Sequence, residues 1–480
     1  MKYFLYLLFL STFFLQAEIA AKPNILFIIV DDLRPELGCY GNTLIKTPHI
    51  DKLATQSTVF DRAYCQQAVC GASRASFLSG LRPDSTRIYD IHTQLTSTQK
   101  DCLTLPLFFK SKAYETISMG KVYHHLSDDP NAWSRAPKML TGSWHGKQGY
   151  VGDAYKQYSS TDWIPAGAEK RAAWECEDVP DNRYPDGALA EQAITQLERL
   201  KKDSQPFFMA LGFSKPHLPF NAPKKYWDLY NPAELYKSTM TDWPKKMPRI
   251  APRYSEELRN YSGIIQKREQ IKGEIGLKLV HGYYACTSYV DAQIGLVLNS
   301  LDRLKLRDNT IVVLIGDHGF KLGDYGSWCK HTNFEIDTRV PMLISSPCSP
   351  ASQTQSLSEL VDIYPTLVDL CGFSIPEHCE GLSLKSILEK PSAELKNAAF
   401  SQYPRSQGKV MGYSIRSGKW RYTEWTEIAT GKIKNRELYK HETSSIATHN
   451  EVFNPENKTL IKKLSQQLAS GQGWKSKRRQ

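Results

Sequence analysis

The sequence predicts an α/β fold with a mainly parallel central sheet flanked by helices, followed by a smaller C-terminal subdomain of antiparallel strands and one helix. Three observations support this prediction. Short apolar runs alternate with amphipathic helical patterns, as is typical of parallel sheets covered on both sides. Each apolar run leads into polar residues of unusual chemistry. After about residue 390, the apolar runs become shorter and of mixed polarity, which indicates a second kind of sheet.

Four apolar runs predict the central strands. Asn24 to Val30 and Thr310 to Ile315 are rich in β-branched residues and unbroken, as strands buried on both faces should be. The other two runs are Tyr114 to Met119 and Phe207 to Leu211. Ligands of open parallel sheets bind beyond the carboxyl ends of the strands. The polar residues that follow these runs are therefore expected to meet at one edge of the sheet.

The remaining elements follow from helical periodicity and from the change in composition near residue 390. Two amphipathic helices are predicted from apolar residues that share one helical face: Leu189, Ala193, Leu197 and Leu200 in the first, and Val290, Ile294, Val297 and Leu301 in the second. The C-terminal part is predicted to contain strands at Ala399 to Tyr403, Gly412 to Arg416 and Trp420 to Trp425, and a closing helix at Leu460 to Leu468. We accordingly divide the chain into residues 1–21, 22–390 and 391–480.

Composition excludes several classes of protein and indicates the charge of a partner. Among 480 residues, 41% are hydrophobic and 23% are charged, which excludes a disordered chain, a collagen-like fibre and a multi-span membrane protein. Lys and Arg outnumber Asp and Glu by 61 to 50, and this surplus of +11 indicates an anionic partner. Nucleic acid is not favoured, because no recognition motif accompanies the charge. The Lys-rich stretch from Asp242 to Arg253 is predicted to be a solvated loop.

The first 21 residues predict the compartment. Lys2 precedes an apolar run from Tyr3 to Leu15 and the segment ends in small residues up to Ala21, as in a secretory signal peptide. The run is too short to span a bilayer, although an uncleaved anchor is the alternative. We therefore expect export without stable membrane insertion, to a periplasmic, secreted or lysosome-like location that depends on the host. Ten cysteines are too few for a disulfide scaffold, but Cys371 and Cys379 flank a short loop and are predicted to form a bridge.

The sharpest local motif begins at Cys70 and ends at Pro83, and it reads Cys-Gly-Ala-Ser-Arg-Ala-Ser-Phe-Leu-Ser-Gly-Leu-Arg-Pro. On its own, a Cys four residues before Arg74 indicates either a buried thiol beside a cation or a thiolate nucleophile. The segment resembles the Cys-x-Pro/Ala-x-Arg pattern, followed by Leu-x-Ser/Thr-Gly, of the type I sulfatases. Ala72 stands where many members of that family carry Pro.

The resemblance to type I sulfatases extends over nearly the whole chain after the predicted signal peptide. It implies the alkaline-phosphatase-like fold, and within the family the sequence looks closest to iduronate-2-sulfatases. Five further segments carry this similarity: Met119 to His124, Lys215 to Phe220, Lys330 to Phe334, Gln402 to Arg405 and Met411 to Arg416.

The resemblance implies that Cys70 is the precursor of a formylglycine (3-oxoalanine). A formylglycine-generating or sulfatase-maturating enzyme would carry out this oxidation. The hydrated aldehyde is then the expected nucleophile, because a geminal diol can attack sulfur with one hydroxyl and later expel sulfate by collapsing to the aldehyde. A serine hydroxyl would be left with a stable ester.

Four residues at two predicted strand ends form a candidate metal site. Asp31 and Asp32 follow the first strand, and Asp317 and His318 follow the strand that begins at Thr310. Three converging carboxylates suit a hard divalent cation, whereas acidic residues at strand ends can also cap helices. The resemblance implies one Ca²⁺ bound by these four residues and by residue 70. Many sulfatases carry Asn at the position of His318.

Four further basic residues lie in the matched motifs. Alone, each Lys or His would be read as a solvated surface group. Cleavage of a sulfate ester builds negative charge on the bridging oxygen, so cations and a proton donor must converge there. The resemblance implies that Lys121 and Lys330 bind the sulfate oxygens, and that His217 protonates or stabilises the leaving oxygen. It also implies that Arg74 and His124 hold the formylglycine, with His124 acting as the base that eliminates sulfate. The neighbouring residues His125 and His331 are expected to have supporting roles.

These features together predict a sulfuric ester hydrolase that acts on a sulfated carbohydrate. The specific hypothesis is exo removal of a 2-O-sulfate from a uronic acid of a glycosaminoglycan or similar polysaccharide. One alternative is a phosphomonoester or phosphonate ester hydrolase of the same superfamily. The other, from a different class, is an inactive polyanion-binding protein that keeps the fold.

Overall fold

The computed structural model describes residues 22–125, 127–136, 172–203, 205–235, 242–265, 269–347, 349–442 and 444–470. The predicted signal peptide lies outside these residues. The strands in chain order are β1 Asn24–Val30, β2 Thr58–Phe60, β3 Ala63–Tyr64, β4 Glu115–Gly120, β5 Trp174–Glu177, β6 Phe207–Phe213, β7 Phe220–Pro223, β8 Thr310–Gly316, β9 Lys321–Leu322, β10 Trp328–Cys329, β11 Arg339–Val340, β12 Met342–Ser345, β13 Ser352–Thr354, β14 Ser358–Glu359, β15 Ala399–Arg405, β16 Val410–Ser417, β17 Trp420–Glu427 and β18 Ile433–Lys440.

The α-helices are named in chain order in the same way. They are α1 Pro48–Ala54, α2 Cys70–Ser79, α3 Pro83–Thr86, α4 Leu95–Thr98, α5 Leu105–Ser111, α6 Pro185–Asp203, α7 Lys224–Trp227, α8 Pro232–Leu235, α9 Gly273–Arg303, α10 Glu335–Thr338, α11 Ile363–Leu370, α12 Lys385–Glu389 and α13 Lys458–Ser470. Among the described residues, none of the helices combines the length and apolar character needed to cross a bilayer.

A seven-stranded sheet forms the centre of the molecule, in the order β13-β2-β12-β8-β1-β6-β4. The four predicted strands are its adjacent members β8, β1, β6 and β4, and each pairs in parallel with its neighbour. Strand β12 runs antiparallel to β8 and to β2. The prediction of a mainly parallel central sheet is therefore confirmed.

Helices cover both faces of this sheet. Successive side chains of a strand point to opposite faces, so each strand contributes to two cores. Ile25, Phe27 and Ile29 of β1 pack in a core that includes apolar residues of α2, α5 and α11. Leu26 and Ile28 belong to a second core, on the side of the long helices α6 and α9. The eight apolar residues that predicted these two helices all belong to this second core, which confirms both helical faces.

The C-terminal subdomain consists of the four-stranded antiparallel sheet β15-β16-β17-β18 and helix α13. Leu464 and Leu468 of α13 pack against Ile415, Tyr422 and Leu438 of the sheet. The fold class is thus confirmed, including this subdomain. Sequence analysis missed strand β18, because its sequence Ile-Lys-Asn-Arg-Glu-Leu-Tyr-Lys is polar and its first four residues are not buried. The domain boundary at residues 390/391 stays a prediction.

The predicted bridge between Cys371 and Cys379 is wrong, since both thiols are free. The two side chains lie beside different neighbours. Cys371 lies near Tyr114, whereas the Cys379 Sγ lies so close to Gly80 that a Cβ added there would be 3.0 Å from it. A short loop between two cysteines does not by itself bring their side chains face to face.

Candidate active site

Strand pairing brings the predicted metal ligands together. Strands β1 and β8 run in parallel with Val30 opposite Gly316, so the pairs that follow, Asp31-Asp32 and Asp317-His318, leave the sheet side by side. The backbone N–H of Asp317 donates to the Val30 carbonyl at 3.3 Å, and the Asp32 N–H donates to the Asp317 carboxylate at 3.1 Å. All four residues are fully buried.

Cys70 is the first residue of helix α2 and faces these ligands. Its Sγ lies 3.2 Å from His318 Nε2. The other ring nitrogen, Nδ1, is 2.9 Å from the Gly319 carbonyl, which can only accept a hydrogen bond. In a neutral ring Nδ1 therefore carries the proton, and the lone pair of Nε2 is directed toward Cys70 and toward Asp32, whose Oδ1 is 3.4 Å away.

The donor set fits a divalent cation. One ligand atom each from Asp31, Asp32, Cys70 and His318 lies within 4.8 Å of the others. Burial raises the pKa of Asp32 well above its usual value, and the Asp31, Glu257 and Asp317 carboxylates add to this rise, while Lys330 opposes it. A cation at this position would relieve the repulsion among the carboxylates. Asp317 lies beside this set, with its Oδ2 3.6 Å from His318 Nε2.

Arg74 holds the carboxylates in place. Its Nε donates to Asp317 at 3.1 Å and its Nη2 to Asp31 at 2.8 Å, while Nη1 donates to the backbone carbonyls of Lys121 and Val122. Cys70 is one helical turn earlier on α2, but the hydrogen bonds of the Arg74 guanidinium go to the carboxylates and the backbone instead. The predicted role of Arg74 in holding residue 70 stays a prediction.

Two buried lysines donate hydrogen bonds to this acidic centre. Lys121 donates to Asp31 at 2.5 Å, and Lys330 donates to both oxygens of Asp32 at 3.0 Å. Burial lowers the pKa of each lysine, but the neighbouring carboxylates outweigh it, so both pKa values lie above the usual one and both side chains stay charged. Strand β6 approaches Lys121 closely: a Cβ on Gly212 would lie 2.1 Å from the Lys121 backbone, so only glycine fits there.

His217 and Glu257 complete the side of the site around Lys330. His217 Nε2 is 3.2 Å from Lys330 Nζ and from the Glu257 carboxylate, and its Nδ1 is 2.8 Å from the Leu218 carbonyl. Burial and the Lys330 charge lower the pKa of His217 to about 3. Glu257 also accepts from Lys330 at 2.9 Å.

Glu257 is not among the residues that the sequence predicts for the site. It follows Glu256 in a charged stretch without apolar periodicity, so nothing in the sequence separates it from a solvated surface acid.

The remaining histidines differ in their surroundings. Burial and the nearby Lys121 charge lower the pKa of His124 to about 2, and its buried Nδ1 has no hydrogen-bond partner among the described residues. A neutral ring is what a general base requires. His125 bonds to the Ile91 carbonyl at 2.7 Å, and His331 lies between Tyr403 Oη at 2.8 Å and Glu257 at 3.1 Å.

The chain is similar to known proteins over most of its length. The family model described as Sulfatase matches residues 23–373, and the model described as N-sulphoglucosamine sulphohydrolase, C-terminal, matches residues 323–473. The chain belongs to the sulfatase family. As a member of this family, it is a sulfuric ester hydrolase.

Two relatives place this sulfatase more narrowly, and one solved structure shares its fold. It is 34% identical to iduronate 2-sulfatase of Mus musculus, over 93% of this chain and 95% of the relative, and 32% identical to that of Homo sapiens, over 89% and 90%. The fold is similar to that of a phosphonate monoester hydrolase from Silicibacter pomeroyi, with a TM-score of 0.76 and 23% identity over 93% of this chain and 94% of the other. The sequence similarity supports a type I sulfatase like the iduronate-2-sulfatases.

Proposed function

We propose that this sulfatase removes a 2-O-sulfate from a terminal uronic acid of a glycosaminoglycan or similar polysaccharide. The observation that carries the chemistry is the convergence of Cys70, four candidate metal ligands and two buried lysines at one edge of the sheet. The choice of substrate is supported by 34% identity over 93% of the chain to a protein named iduronate 2-sulfatase. The composition of residues 1–21 supports export of the enzyme.

Two groups would complete the site. Asp31, Asp32, Asp317, His318 and residue 70 would hold one Ca²⁺, since oxygen donors suit that ion. When bound, the ion supplies Lewis-acid polarisation and a positive charge next to the sulfate. Formylglycine, formed from Cys70 by a maturating enzyme, supplies a hydroxyl of its hydrated aldehyde as the nucleophile.

The side chains of this protein then have separate roles. Lys121 and Lys330 offset the charge of the sulfate oxygens, in a buried site where such interactions are strong. Lys330, which is charged, provides the proton that the sugar oxygen takes up when its bond to sulfur breaks, and the neutral His217 beside it positions the Lys330 ammonium. His124, which is neutral, accepts a proton during the release of sulfate. Overall, the ester and one water molecule yield the sugar alcohol and sulfate.

Phosphonate or phosphate ester hydrolysis is the second candidate. The fold similarity to a phosphonate monoester hydrolase favours it, although at 23% identity that similarity extends to the fold alone. Comparing turnover of 4-nitrophenyl sulfate with that of 4-nitrophenyl phosphate and a panel of defined sulfated disaccharides separates the two. Faster turnover of 4-nitrophenyl phosphate than of 4-nitrophenyl sulfate and of every sulfated disaccharide would contradict the proposed function.

The Cys70→Ala variant tests the nucleophile. We expect a loss of sulfate release of at least about 10³-fold, because the removed group forms the reacting bond. Cys65→Ala is a matched control, since Cys65 is equally buried but its Sγ faces the Asp337 carbonyl at 3.9 Å. Mass spectrometry of the Cys70 peptide reports conversion to formylglycine independently of activity. Retained turnover in Cys70→Ala would overturn the assignment.

A further inference from the structure

A groove outside the active site collects basic side chains from three separate segments. It has a volume of about 900 Å³ and lies between the loop 246–249, strand β18 and helix α13. This volume is at the upper end of the range for ligand-binding sites. The six basic residues that line it are Lys246, Arg249, Lys434, Arg436, Lys458 and Lys462.

The positive charge of this groove is largely uncompensated. In the part of the chain that the structure describes, no Asp or Glu lines the groove. Lys434 lies 3.1 Å from Glu427, and Arg436 lies 3.8 Å from Glu424, both outside the groove. The other four cations form no ion pair with any described residue. A concave surface with this charge attracts polyanions.

The groove also carries groups that suit sugar rings and hydroxyls. Phe453 is 66% exposed at its edge, the highest exposure among the large apolar side chains that the structure describes. Asn435 and Gln466 add exposed amides, which both donate and accept hydrogen bonds. Cations beside an exposed aromatic ring and amides favour a sulfated carbohydrate over a simple anion.

The loop that forms one wall of the groove continues into the active site. Arg405 donates to the carbonyls of Ile250 at 3.1 Å, Ala251 at 3.0 Å and His331 at 2.9 Å, and so joins this loop to the residue that follows Lys330. Arg249 is two residues from Ala251, at most about 7 Å along the chain. The chain continues from this loop to Glu257, which contacts Lys330 directly.

We propose that this groove binds a run of sulfated sugars belonging to the same polysaccharide whose terminal sulfate ester is cleaved in the active site. This inference rests on the proposed glycan substrate. It gives a binding role to six Lys and Arg residues that take no part in catalysis but contribute to the net charge of +11.

The experiment measures binding in the Cys70→Ala background, where the probe is not consumed. The probes are a heparin-derived dodecasaccharide, a heparin-derived disaccharide and a 12-base-pair DNA duplex, each titrated at several salt concentrations. The test variant combines Lys458→Gln and Lys462→Gln, which lie one turn apart on α13. The matched control combines Lys201→Gln and Lys202→Gln, two exposed lysines at the end of α6 that do not line the groove.

We expect the test variant to raise the Kd for the dodecasaccharide about tenfold. We also expect this Kd to depend less on salt, because the removed lysines no longer attract the sulfated saccharide. The Kd for the disaccharide and every Kd of the control should change less than twofold. Equal effects of the test and control variants on the dodecasaccharide would overturn the proposal. Tighter binding of DNA than of the dodecasaccharide, lost in the same variant, would overturn it in favour of a nucleic-acid site.

Sulfate release by the unmodified enzyme from defined disaccharides tests the proposed function separately. Release without groove-dependent binding of the dodecasaccharide would overturn the groove alone. Groove-dependent binding without release from any sulfated saccharide would overturn the proposed function and leave the binding site in place.

Discussion

Two buried clusters of charge in this sulfatase have similar members but different degrees of balance. In the first, Arg82 forms two hydrogen bonds with Glu359 at 2.7 and 2.8 Å, and Lys396 contacts both Glu359 at 2.9 Å and Asp362 at 2.6 Å. This structural cluster contains two cations and two carboxylates, and each charge has an opposite partner within the protein. A buried cluster of this kind needs no further group.

The active-site cluster is not balanced in this way. Asp31, Asp32 and Asp317 face three cations. These cations are Arg74, Lys121 and Lys330. Glu257 adds a fourth carboxylate, and the Cys70 thiol and His318 Nε2 are also directed at the centre. Each lysine is held at a carboxylate, so the cations are already in place before a substrate binds. In this protein, an acidic excess among convergent ligand atoms, rather than burial of charge as such, therefore distinguishes the reaction centre from a structural ion network.

The largest difference expected between the two clusters comes from removing one cation in each. Lys330→Ala should lower kcat for sulfate release by about 10²- to 10³-fold, because transition-state charge loses its partner. Arg82→Ala should instead destabilise the fold by about 3–5 kcal/mol, because Glu359 is left buried without its main partner. Thermal denaturation and turnover are measured for both variants. A loss of kcat in Arg82→Ala at temperatures where it stays folded would contradict the distinction between the clusters.

The same contrast explains which features the sequence could predict. Strand β1 was predictable because burial on both faces leaves an unbroken apolar run, and Asp31 and Asp32 because they stand directly after it. Glu257 was not, because its importance comes from contacts with Lys330 and His217, which are distant in sequence. Likewise, the stretch from Asp242 to Arg253 was predicted to be a solvated loop. Lys246 and Arg249 are exposed as predicted, but strand β18 and helix α13 turn this surface into one wall of a groove.

Metal removal tests the imbalance of the active-site cluster directly. We expect Ca²⁺ added after chelation to raise Tm, since a ligand at 1,000 times its Kd stabilises the folded state by about 4 kcal/mol. Asp31→Asn should abolish most of this rise, whereas Asp369→Asn should keep it, because Asp369 interacts with Ser383 and Lys385 and contacts none of the candidate metal ligands among the described residues. Differential scanning calorimetry at fixed pH gives the answer without any activity measurement. A Tm that does not respond to Ca²⁺ would argue against the metal site.

The smallest effect concerns a buried carboxylate that has hydrogen bonds but forms no ion pair with any residue in the described ranges. Glu437 accepts from Trp425 Nε1 and from Tyr439 Oη, each at 2.5 Å, and burial raises its pKa to about 7. The folded state therefore retains the proton up to a higher pH than the unfolded state, whose pKa is close to the ordinary 4.5. Folding stability due to this group should fall as pH rises from 4.5 toward 7, by about 2 kcal/mol between pH 5 and 7. Urea denaturation over that range measures the slope. Glu437→Gln removes this titrating group and should reduce the fall in stability by its share of about 2 kcal/mol, because Glu175 and Asp291, whose pKa values are also raised to about 7, continue to contribute. An unchanged slope in that variant would contradict the contribution of Glu437.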